Sequence, residues 1–279
     1  MNHAGSKALA IVLLLSAAPL DRAAQAEPLS VQDVEEIGRL RLSRGYPAEE
    51  VNALVERINK AGERSLPVEP LANKVKEGLA KGVEPKRIDP VLQQMVTHFD
   101  TAHELLKEAG SKGWIEAGAG SRTRAIEMLA DGLSRGVTTE DVRELSRTLQ
   151  DGKQKVSQEA LAAGAKSLGL MREGRVPSKE ASALVGDGLR QGFRASELVD
   201  LGREVKRRSP DIQQGRLTIQ SLRDQVSRGQ RPDRIFRDER GGSDGPGGGE
   251  RLDRGDRSGG RDGGDRGRDD RGGRRGGRD

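Results

Sequence analysis

The sequence predicts an all-α protein of helical-hairpin repeats, arranged as an α-solenoid or an irregular bundle and followed by a disordered Gly/Arg/Asp-rich tail. Three observations predict it. The 279 residues are 33% hydrophobic but only 2% aromatic, and a chain poor in Tyr, Phe and Trp lacks the usual filling of β-sandwich and barrel cores, whereas Leu, Ala and Val suit helices. An acidic-Gly-Leu-x-x-Gly-apolar string occurs three times, as Glu77 to Val83, Asp131 to Val137 and Asp187 to Phe193, and internal repetition is the signature of repeat architectures. From Arg237 to Asp279 the chain has 16 Gly, 12 Arg, 11 acidic residues and one large apolar residue, Leu252. So little burial cannot offset an ordering cost of about 1 kcal/mol or more per residue.

Residues 1–26 read as a cleaved signal peptide. Lys7 supplies a positive start, Ala8 to Leu20 an apolar run too short and Ala-rich to span a bilayer, and Ala24-Gln25-Ala26 the small residues a signal peptidase reads. The expected product begins at Glu27 and is periplasmic or secreted. The absence of Cys excludes a lipid-attached lipoprotein, a disulfide scaffold, a thiolate zinc site and a cysteine nucleophile. No later run is apolar enough to cross a membrane. Of the formal charge of +5, about +4 remains without Lys7, Arg22 and Asp21; opposite charges interleave, and the surface is not polybasic.

Between these ends, apolar periodicity and stop signals place helices near 30–44, 47–61, 67–81, 90–109, 121–135, 139–150, 153–173, 178–191, 195–208 and 212–228. Gly82, Gly136 and Gly192 close the three strong copies, Gly45 and Gly229 two weaker ones, each suited to the left-handed conformation that ends a helix. These five glycines lie 37, 54, 56 and 37 residues apart, close to multiples of about 18, one helix with its turn. Pro47, Pro67, Pro85 and Pro177 suit first turns, and Thr138, Thr139 and Ser196 can cap N-termini. Val75, Leu129 and Val185 share a face with the Leu of each string, while Ile88, Val142 and Leu198 begin the next stripe. Gly78, Gly132 and Gly188, inside helices where Gly costs about 1 kcal/mol, are expected where a neighbouring helix packs closely. The stretch from Gly110 to Gly120 interrupts the repeats and suggests a boundary between helical subdomains 27–110 and 111–236, ahead of the tail 237–279.

Candidate chemical sites are few. His98, Asp100 and His103 are metal-type ligands in the absence of Cys, but His residues five apart lie about 140° apart around a helix, whereas i,i+4 spacing serves one metal better. There is no Gly-x-Ser-x-Gly turn, and no pair of carboxylates stands apart as acid and base. No cofactor is expected, and a metal-dependent hydrolase at His98, Asp100 and His103 ranks last. Trp114 covers a gap in a small core or anchors a partner. Arg271, Arg274, Arg275 and Arg278 resemble the arginine-glycine segments of nucleic-acid-binding proteins, which implies phosphate contact, although no aromatic lies among them and Asp alternates with Arg up to Asp270. The expectation is an exported, non-enzymatic helical-repeat protein acting as an interaction module or scaffold in the cell envelope, with a protein partner. The alternative is polyanion binding (nucleic acid, polysaccharide or lipid headgroup) through the tail.

Overall fold

The computed structural model describes residues 28–116, 121–149 and 155–237, so the expected signal segment, and the tail beyond Arg237 with Arg271, Arg274, Arg275 and Arg278, lie outside the described residues. Those residues are mostly helical, with twelve helices: α1 Val31–Arg44, α2 Ala48–Glu63, α3 Glu69–Ala80, α4 Pro85–Ser111, α5 Arg122–Ser134, α6 Thr139–Arg147, α7 Gln158–Glu173, α8 Ser178–Arg190, α9 Ala195–Arg207, α10 Ser209–Gln213, α11 Ile219–Ser227 and α12 Pro232–Ile235. No helix among the described residues is long and apolar enough to cross a membrane.

Side-chain hydroxyls start several of these helices by accepting an orphan amide hydrogen of the first turn. Ser30 accepts from the Asp33 amide, Ser121 from Arg124, Ser157 from Ala160 and Thr218 from Ser221. Thr138 and Asp141 form a reciprocal capping box on α6. The stops are left-handed: φ is 68° at Gly45, 78° at Gly82, 86° at Gly136, 68° at Gly192 and 79° at Gly229. After Gly82, Gly136 and Gly192, the amide of Val83, Val137 or Phe193 reaches back to the carbonyl of Gly78, Gly132 or Gly188, closing the helix in the manner of a Schellman motif.

The structure departs from the expected helix map in four places. Helix α4 begins at Pro85 and runs through Pro90; Pro90 and Lys86 are both exposed, so water can serve the carbonyl that the ring leaves without a donor. The expected helix 212–228 is two, α10 and α11, separated at Gly215, where φ is 72°. A two-residue strand β1 (Ile115–Glu116) pairs in parallel with β2 (Val156–Ser157). Two stops use ordinary residues, Ser65 at φ 58° and Arg175 at φ 59°.

The most extensive packing joins α5 to α7 and α7 to α9; α4 packs on α5, α8 on α7 and α11, and α1 on α3, with lesser contacts of α4 to α2, α3 and α6. Side chains 36 residues apart tie the helices to one another. Arg44 donates to the Ala80 carbonyl, Arg172 to that of Gly136 and Gln191 to that of Ser227, and Arg64 and Asp100 pair at 2.8 Å, as do Asp187 and Arg223 at 2.7 Å. The buried apolar residues form one core cluster among the described residues, from Leu29 to Phe236.

Candidate functional site

Helix α4 carries His98, Asp100 and His103, and their partners separate them. The Asp100 carboxylate is held by Arg64, and the His103 Nε2 lies 3.0 Å from an Arg122 guanidinium nitrogen. Burial lowers the pKa of both imidazoles, with Arg122 lowering that of His103 further. Among the described residues no group of three or more His, Cys, Asp or Glu side chains is placed to hold a metal ion. Trp114 follows the α4 stop at Gly113, is half-buried against the core and has the Lys112 ammonium 4.5 Å from its ring centroid.

A concave surface lies beside α9, and its position follows from the composition of α7. That helix reads Gln-Glu-Ala-Leu-Ala-Ala-Gly-Ala-Lys-Ser-Leu-Gly-Leu-Met-Arg-Glu, and the small side chains let its neighbours approach to backbone contact. A Cβ on Gly132 of α5 would stand 2.8 Å from the Ala165 carbonyl oxygen, and one on Gly202 of α9 would stand 2.8 Å from the Ser167 Cα. Leu198, Leu201 and Val205 bury the inner face of α9, which leaves Ser196, Asp200 and Arg203 exposed on the other.

Three recesses follow that outer face. The first, about 560 Å³, is bounded by Arg124, Lys155, Ser157, Glu159, Phe193 and Arg194. The second, about 320 Å³, shares Arg124, Ala195 and Ser196 with it and adds Met128, Lys166 and Val199. A third of about 340 Å³ shares Asp200 and Arg203 with the second and ends at Phe236 and Arg237. Buried Leu189, Phe193, Val199 and Phe236 give this groove apolar ground, and Arg231 stacks over Phe193 at 4.8 Å.

Charge in the groove is only partly neutralised. Lys166 pairs with Asp131 at 3.0 Å and Arg203 with Asp200 at 3.3 Å. Burial raises the pKa of the Asp131 carboxyl, but hydrogen bonds from Arg135 and Lys166 outweigh it and hold the group below the ordinary range. Arg124, Lys155 and Arg194 around the first recess form no ion pair with any described residue, and neither does Glu116 at its edge. The recesses thus combine an apolar ground with charges of both signs at the rim.

Sequence reasoning gave none of these residues a binding role, taking Ser196 only as a helix cap and Phe193 only as the end of the third string, because the groove joins Arg124 to Arg237 across α5, α7, α9 and α12. The visible signal was the run of Ala, Gly and Ser in α7. Comparison of the chain with protein-family models, curated proteins and solved structures finds no match.

Proposed function

We propose that the chain is an exported, non-enzymatic scaffold of stacked helical hairpins that binds a protein partner in the groove beside α9. The observation that carries this reading is the continuity of the groove: three recesses share lining residues and combine apolar ground with unneutralised charge, which suits an extended segment of another protein. The 36-residue separation of the ties between helix ends supports a two-helix repeat, because in such stacks each unit contacts its neighbours. Export rests on the Lys7, Ala8 to Leu20 and Ala24-Gln25-Ala26 pattern.

Site-specific photo-crosslinking tests the groove. A photoreactive residue at Ser196 or Arg203 should give one discrete cross-linked species in intact cell envelopes, and the same residue at exposed Glu63 should not. Equal cross-linking from all three positions, or none from the groove, would remove this reading.

The Arg-rich end of the tail favours a second one. Arg271, Arg274, Arg275 and Arg278 face a single acid, Asp279, in the last nine residues, and Arg in a Gly-rich segment suits a phosphate backbone. Such binding should weaken steeply between about 50 and 200 mM salt and vanish when the four Arg are replaced by Ser, whereas groove binding should survive both.

A further inference from the structure

Three of the four exposed large hydrophobic side chains among the described residues lie on α1: Val31 at 74% exposure, Leu42 at 69% and Val34 at 44%. They share one stripe with Gly38, because positions 31, 34, 38 and 42 follow helical spacing. The helix packs on α2 and α3 through other positions. Ile37 is buried, Asp33 is bound by Lys76 at 2.7 Å and Arg44 reaches the Ala80 carbonyl, and this set is rotated by roughly a third of a turn from the stripe. A Cβ on Gly38 would meet no atom within 4 Å. Where repeat helices end a stack, the outer face is ordinarily polar, and this one is not.

Charge along α1 is divided lengthwise. The first half carries Asp33, Glu35 and Glu36, the second Arg39, Arg41 and Arg44. Glu35, Arg39 and Arg41 flank the stripe and have no side-chain partner among the described residues. A copy of α1 laid antiparallel across Gly38 sets Val34 near Leu42 and the acidic half against the basic half, twice over by symmetry, and Gly38 permits close approach. A parallel copy would oppose like charges. We propose that this chain self-associates through α1 as an antiparallel, two-fold symmetric helix pair. A single helix pair falls at the small end of specific interfaces, so the dimer is reversible, with dissociation on the order of micromolar concentrations.

Sedimentation velocity on the purified full chain, from about 1 to 200 μM, tests this. The expected result is a monomer–dimer equilibrium that Leu42→Glu abolishes; Leu42 is exposed, so unchanged circular dichroism should accompany the loss. Glu35→Arg alone, or Arg39→Glu with Arg41→Glu, should each weaken self-association several-fold, and mixing the two variants should restore a heterodimer, since basic then meets acidic at both ends. A monomer at every concentration would overturn the proposal and leave the stripe to a different partner. A dimer indifferent to Leu42→Glu would overturn the surface, and a mixture that forms no heterodimer would overturn the antiparallel arrangement.

Discussion

Gly132 and Ala165 bring α5 and α7 into backbone contact: a methyl group on residue 132 would lie 2.8 Å from the Ala165 carbonyl oxygen and 2.9 Å from its carbonyl carbon. Of the three glycines that recur inside the repeated string, this one alone meets backbone. A Cβ at Gly78 would press the Ile88 side chain at 2.6 Å, and one at Gly188 would touch Leu198 and Phe193 at 3.2 Å. Gly132→Ala should therefore cost about 2–3 kcal/mol, since two packed helices must separate. Gly110→Ala, in open space within α4, should be neutral or stabilise by up to about 1 kcal/mol. Urea unfolding of both variants checks the contrast.

Left-handed stops predict a second pair of opposite effects. Gly136→Val should destabilise by more than about 1 kcal/mol, because a β-branched residue at φ 86° is strained. Arg175→Gly should do the reverse. Arg175 holds φ 59° without a glycine and its side chain is exposed, so relief of that strain, less the entropy glycine adds to the unfolded chain, should stabilise by about 0.5–1 kcal/mol. Thermal unfolding midpoints report both.

Ser167 is fully buried in α7, and its hydroxyl has no hydrogen-bond partner among the described residues. Ser167→Ala removes an unsatisfied polar group and raises helix propensity, and should stabilise by about 1 kcal/mol. A destabilised variant, measured by denaturant unfolding, would show that the hydroxyl is satisfied in solution.

Acid should weaken the fold through carboxylates held below their ordinary range. Lys76 does this to Asp33, Lys112 to Glu108 and Lys206 to Glu173, while Lys81 and then Lys74 bring Glu77 to about 2. A folded-state pKa below the unfolded one gives stability that is present above the unfolded value and lost as pH falls through the folded one. The urea midpoint should therefore hold from pH 7 to about 5 and fall from about 4.5 towards 2. Asp131→Asn should be less stable than the parent at pH 7, with the gap closing at the acid end, because protonated Asp131 resembles Asn.

Local rules explain which parts of this fold could be read in advance. Glycine at Gly45, Gly82, Gly136, Gly192 and Gly229 coincides with left-handed backbone because that conformation penalises a Cβ. Ser65 and Arg175 occupy the same conformation and leave no trace in composition. Strands of two residues, Ile115–Glu116 and Val156–Ser157, are too short to show alternation. The helix expected near 90–109 begins five residues earlier, at Pro85, a proline that does suit a first turn, and Pro90 is carried inside α4 at an exposed position, which depends on which face meets water. The groove was illegible for a different reason. Its lining comes from helices far apart in sequence, and only the small residues of α7 hinted that α5 and α9 would be drawn together.

The ties between helix ends also bear on how the chain acquires its structure. None of the side-chain hydrogen bonds described here joins residues further apart than Lys76 and Asp33, a separation of 43, in a chain of 279. Loop closure for such contacts is short, and proteins dominated by local contacts fold quickly. Each newly available helix can dock on those before it without waiting for the far end. A chain delivered as a thread from its N-terminus would meet its native neighbours in the order in which they emerge.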